Sequence, residues 1–233
     1  MDLHFGWIRQ LLSKPTVERD VCMEIFGFNT KTVEACIRRK IYGNFELTDA
    51  VCPTPDLDVI PTEGYRNDLI TRYENGLKLK IPTTVVAVSR EKLFDLFISI
   101  IDCLSYETDV SISTSYTLPD EESNYGIRGD INTDALIGHL CDDDVKDLLL
   151  NDGCIGITVA DLDTCTRVEL DEHKLLYVRG TPIPSLTSLL AEQRIALHKN
   201  MKFISEGRHI HSSSDNYEER CHALRAELDC ALW

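Results

Sequence analysis

Two histidines one residue apart, His209-Ile210-His211, are the residues whose types and spacing most directly suggest chemistry. In a strand, alternate side chains share a face, so both imidazoles would point the same way. Neutral imidazole is a ligand for zinc, copper, iron and nickel. A working site needs a third donor. The polar stretch Asp171-Glu172-His173-Lys174 supplies candidates in His173, Glu172 and Asp171, provided the fold brings it close. A divalent metal is the cofactor these residues imply. The competing account is that one or both histidines simply hydrogen-bond at a strand end. Asp171-Glu172-His173 also has the residue types for acid–base work, since a carboxylate beside an imidazole raises its pKa. Neighbours in a strand face opposite ways, however, so a solvated turn is the expectation for this cluster.

Other catalytic signatures are missing. The nine cysteines form no C-x-x-C pair, which excludes a zinc knuckle and a thioredoxin-like motif. A cysteine nucleophile needs an adjacent base; Cys154, between Gly153 and Gly156, reads instead as a buried thiol at the start of a strand. No G-x-S-x-G, P-loop or G-x-G-x-x-G occurs, so no nucleotide site is expected.

Charge gives the second signal. Acids outnumber bases 39 to 24, a net charge of −15. Residues 102–152 hold 13 acids against two bases, while the first fifty residues balance at seven of each. Nucleic acid is bound through clustered Lys and Arg, so it is excluded as a partner. Two runs, Asp120-Glu121-Glu122 and Asp142-Asp143-Asp144, are candidate contacts for a basic protein partner through complementary potential. The second run also suits a helix N-terminus, whose dipole favours carboxylates. With no secretory leader and no 18-residue apolar run, a reduced cytoplasmic protein without a membrane span is expected.

The elements that would position these residues follow from pattern. Residues 2–42 read as three helices, broken near Lys14-Pro15 and ended by Gly43. Residues 44–76, punctuated by Pro53, Pro55 and Pro61, read as an irregular connection with one helical turn near Asp68–Tyr73. From Leu77 alternation predicts a strand, a buried helix over 90–104 capped by Ser89, and a second strand over 110–114, a β-α-β unit. An acidic loop over 118–131 precedes helices near 133–141 and 143–151. Strands around 155–159, 168–170 and 175–178 form an antiparallel meander with its hairpin at 171–174. A helix over 185–197, a strand over 201–211 and a last helix from Asp215 complete the chain. Tyr217, Cys221, Leu224, Leu228 and Leu232 make one apolar stripe on that last helix, with Glu218 placed for a capping box.

The fold class expected is α+β, shading to α/β: a helical subregion at 1–43, the connection at 44–76, and a core at 77–233 built on a mixed sheet of about five strands. For function, composition favours an acidic module that binds a basic partner. Antitoxin- and immunity-type proteins are its compositional analogue, and an analogy of this kind does not itself carry function. The alternatives are a metal-dependent enzyme or sensor built on His209 and His211, and a homo-oligomeric scaffold.

Overall fold

Residues 85–88, Val-Val-Ala-Val, have two faces to satisfy. Val86 and Val88 enter one hydrophobic cluster and Val85 and Ala87 another, which is why this run is continuously apolar. The structure, a computed structural model, describes residues 30–74, 77–116, 125–229 and 231–232. The first two helices read from the sequence, and Asp120, Glu121 and Glu122, lie outside the described residues.

Helix α1 (Thr30–Arg38) is followed by the short strands β1 (Ile41–Tyr42), β2 (Phe45–Glu46) and β3 (Val51–Pro53). Next come β4 (Gly64–Glu74), β5 (Leu77–Ala87), α2 (Arg90–Ile101), β6 (Glu107–Thr114), β7 (Tyr125–Asn132), α3 (Thr133–Leu140) and α4 (Asp143–Asn151). The chain continues through β8 (Ile155–Asp161), β9 (Thr166–Leu170), β10 (Leu176–Gly180) and α5 (Leu186–Glu192). It ends with a 3-10 turn (Ile204–Glu206), β11 (His209–His211), α6 (Asp215–Glu227) and β12 (Ala231–Leu232).

The fold is α+β. Its main sheet is larger than expected and not mixed: eight strands in the order β12-β7-β6-β8-β9-β10-β5-β4, every neighbouring pair antiparallel. Strands β5 and β6 run the same way, as the β-α-β reading requires, but β10, β9 and β8 lie between them. One sheet face carries α2 to α6 and the larger cluster, with Phe97, Ile100, Leu136, Leu148 and Ile157 fully buried. The other carries α1, β3 and β11 over Val85, Ala87 and Leu175. Among the described residues no helix is long and apolar enough to cross a membrane.

Four expectations give way to the structure. The connection at 44–76 holds β2, β3 and β4, and β4 occupies the place of the expected helical turn. The acidic loop contains β7. The strand expected over 201–211 is a strand only at 209–211; before it the 3-10 turn is held by the Glu206 carboxylate accepting from the Phe203 amide at 2.8 Å. Ser89 precedes α2 without capping it, its Oγ accepting instead from the Glu46 amide at 3.0 Å.

Candidate metal centre

The β9–β10 hairpin is organised by one carboxylate. Asp171, 5% exposed, uses Oδ1 to accept the amides of His173 (3.0 Å) and Leu175 (2.8 Å). Lys174 takes the left-handed conformation (φ 60°) that closes the turn. The same carboxylate's Oδ2 accepts from Nδ1 of His173 at 2.9 Å. Asp171 therefore fixes both the backbone that carries His173 and the rotation of its ring. The turn is present as the sequence suggested, but its Asp171 and Lys174 are buried rather than solvated.

His209 and His211 come from β11, which pairs with β3 through His209↔Pro53, Ile210↔Cys52 and His211↔Val51. Ile210 enters the smaller hydrophobic cluster, and this anchors the strand. Period-two alternation then puts the two histidines together on its other side. His209 Nδ1 donates to the Gly207 carbonyl at 2.8 Å and His211 Nδ1 to the Gly153 carbonyl at 2.7 Å. Gly153 also donates its amide to Ser212 at 2.8 Å, and a Cβ there would collide with the Ala50 carbonyl. Only glycine permits the approach that brings its carbonyl to His211.

The three rings form a near-equilateral group, with centroids 4.7, 4.8 and 4.9 Å apart and planes inclined at 65–74°. Nε2 of His173 and Nε2 of His209 are 3.0 Å apart, and one ring nitrogen from each of the three lies within 4.8 Å of the others. A tetrahedral zinc with bonds of about 2.0–2.1 Å sets its donors roughly 3.3 Å apart, so the observed spacings bracket what the ion needs. Each Nδ1 has a carbonyl or carboxylate acceptor. That fixes the tautomer and makes Nε2 the atom each ring can offer, the usual arrangement behind metal-bound imidazole.

Charge in the cluster is divided unevenly. Burial, with the neighbouring His173 and His209, pushes His211 down to about 3. Burial also lowers His209. For His173 burial acts downward too, but the hydrogen bond to Asp171 and its charge outweigh it, and the pKa rises. The close Nε2–Nε2 approach fits one proton between the two rings, with His173, whose pKa the Asp171 contact raises, favoured as its donor. A cation of higher charge could replace that proton.

Glu172 is half exposed, with Oε1 3.7 Å from Nδ1 of His173. It lines a shallow depression of about 170 Å³ with Ser113, Thr114, Cys154 and Gly156. On another side His173 and Lys174 border a cavity of about 20 Å³ walled by Phe45, Leu47, Leu175 and Phe203. That is room for about one water. Lys174 is buried, its Nζ donating to the Ile155 carbonyl at 2.9 Å, and burial lowers its pKa to about 8. Asp152, fully buried, accepts from Tyr116 Oη at 2.7 Å and from the Cys154 amide at 3.0 Å.

The structure thus brings His173, His209 and His211 together and sets Glu172 beside them. The acidic candidates lie elsewhere. Asp142 caps α4, its Oδ1 accepting from the amides of Asp144 and Val145 at 2.9 and 3.4 Å. Asp143 and Asp144 follow in the first turn, and Asp144 reaches Arg220 at 3.6 Å. Cys154 is buried in the larger core cluster. The features missed from sequence are the double duty of Asp171 and the carbonyls of Gly153 and Gly207. Asp171 left a trace, a carboxylate two residues before a histidine at a turn. The carbonyls left none, because every residue has one.

Comparison with known proteins gives no family assignment: no family model matches the chain, and no curated protein or solved structure matches it.

Proposed function

We propose that this chain is a metal-dependent enzyme whose His173, His209 and His211 hold a zinc-class divalent ion through Nε2. One observation carries the reading: three buried or half-buried imidazoles converge, each with Nδ1 committed to an acceptor behind it. Three protein ligands are the number found in catalytic zinc sites, where a fourth position takes water or substrate. An ion bound there would supply Lewis acidity, lowering the pKa of a coordinated water to about 7. The chain's own part is to hold the rings in one tautomer and keep the site largely dry, with Glu172 lying on the Nδ1 side of His173, 3.7 Å from that nitrogen. Hydrolysis at a carbonyl or phosphoryl centre is the reaction class this suits. The test is elemental analysis of protein purified without chelators, together with cobalt substitution. One equivalent of metal, with the visible absorption of tetrahedral cobalt, is expected from the native chain, and neither from His209→Ala/His211→Ala. Native protein that takes up no zinc or cobalt at neutral pH refutes the proposal.

A second reading, docking of a basic protein partner, is supported by a groove of about 720 Å³ lined by Asp142, Asp144, Glu227 and Val145. The Asp144 side chain is 91% exposed at its rim. Binding of a basic partner should weaken with salt and on Asp143→Lys/Asp144→Lys. Indifference to both ends this reading.

A further inference from the structure

Strand β4 is the last strand of the main sheet, and past Tyr65 no described segment pairs with its outer edge. Tyr65 itself shows which backbone groups face outward: its amide donates to Ala196 and its carbonyl accepts from His198, each at 2.9 Å. By alternation the outward groups beyond it belong to Asn67, Leu69, Thr71 and Tyr73. Strand β5 is covered by β10 only at Thr83–Val86, while β4 and β5 stay paired as far as Glu74↔Leu77. Residues 68–74 and 77–82 therefore project as two paired strands. Leu69 is 57% exposed and Leu77 67%. A ribbon of this kind is marginally stable alone in water. Natural edges are blunted with charged side chains, above all lysine, with proline or with a bulge. Gly64–Glu74 has no lysine or proline and runs in unbroken register with β5. Its charges are of both signs, so they can repel or match a second strand according to register.

The even positions of β4 carry a pattern that reads its own reverse with opposite sign: Arg66 (+), Asp68 (−), Ile70, Arg72 (+), Glu74 (−). We propose that β4 pairs antiparallel with β4 of a second copy of this chain about a two-fold axis through Ile70, joining the two main sheets edge to edge. In that register Ile70 meets its own symmetry mate. Asp68 falls opposite Arg72 of the second copy, and position 66 opposite position 74. Leu69 and Thr71 exchange backbone hydrogen bonds with Thr71 and Leu69 of the second copy, as do Asn67 and Tyr73. These are the residues whose amides and carbonyls face outward, so the backbone admits this register and the side-chain charges select it among those it admits. Shifting the axis by one residue sets Arg66 against Arg72, two like charges, for an axis at Leu69, and Ile70 against Arg72 for an axis at Thr71. An isologous contact of this kind closes at a dimer. The inference is independent of the metal centre.

The test is the mass of the full chain in solution by light scattering and sedimentation at tens of micromolar. Twice the chain mass is expected. Arg72→Asp faces two aspartates across the axis in both symmetry-related pairs, and association should weaken roughly tenfold. The double exchange Asp68→Arg/Arg72→Asp recreates the complementary pattern and should restore the dimer, which a merely damaged fold would not do. Thr71→Pro removes an outward amide that no other described residue uses, and should give a folded monomer by circular dichroism. A monomeric native chain overturns the proposal, as does a dimer that survives both Arg72→Asp and Thr71→Pro. Failure of the double exchange overturns the two-fold at Ile70. Hydrogen exchange showing protected Leu69 and Thr71 amides in a monomer would place another segment of the same chain on this edge, and overturns it equally.

Discussion

At the scale of single residues, the metal reading rests on Asp171 as much as on the histidines. Its Oδ1 holds the turn and its Oδ2 holds the ring of His173. Asparagine keeps a carbonyl oxygen for the first task and substitutes an N–H donor for the second. Nδ1 of His173 must then accept, its proton moves to Nε2, and the ring presents N–H where a lone pair is needed. Asp171→Asn should therefore preserve the fold and lower zinc affinity about 10–100-fold, the usual effect of losing such an orienting partner. Competition titration against a chromophoric chelator measures this, and an unchanged affinity would mean that Asp171 only builds the turn. The histidines were legible in the sequence because type and period-two spacing sufficed for His209 and His211, and type alone flagged His173. What could not be read was their convergence across 36 positions of chain.

At the scale of elements, legibility followed burial. The apolar alternation of β8 and β9 and the buried face of α2 were plain, because each packs apolar side chains into the core. Strand β4 was not. Its outer half is exposed on both faces, so no alternation is imposed on it, and Leu69, Ile70 and Tyr73 fall by chance at helical spacing. Strand β7 was hidden by Gly126, Gly129 and its acidic surroundings, since it lies toward a sheet edge closed only by the short β12. The stretch before β11 read as a strand because Met201, Phe203 and Ile204 are apolar. They are buried from a loop and a 3-10 turn, with Glu206 bonding back to Phe203 and reaching across to Arg66 at 3.0 Å. The loop sets the position of β11, and with it the two histidines. Sequence pattern could show their common face but not the hairpin they would face.

For the whole molecule, the histidine cluster links acidity, metal and stability with a definite sign. His211 and His209 are held below their ordinary value in the folded chain, His211 down to about 3, so below neutrality the unfolded state binds protons that these two folded rings refuse. Their contribution to the stability of the metal-free protein therefore falls as pH drops through the unfolded histidine value near 6.5. His173 acts oppositely: its raised value contributes stability below about pH 6.5 that is lost as pH rises through its folded pKa. Asp147 and Asp161, lowered by their hydrogen bonds against the opposing effect of burial, contribute only above the carboxylate range. A bound divalent ion changes this balance by removing the proton on His173 and giving the three rings a common partner. At a hundredfold excess over its dissociation constant it adds about 2.7 kcal/mol, or roughly 5–10 °C in a domain of this size. The ion must displace the proton on His173, so the added stability should shrink as pH falls from about 7.5 to about 5. Thermal unfolding of zinc-loaded and chelator-treated protein across that range measures the difference directly. A gap between the two that is constant with pH would mean that the ion binds somewhere other than these histidines.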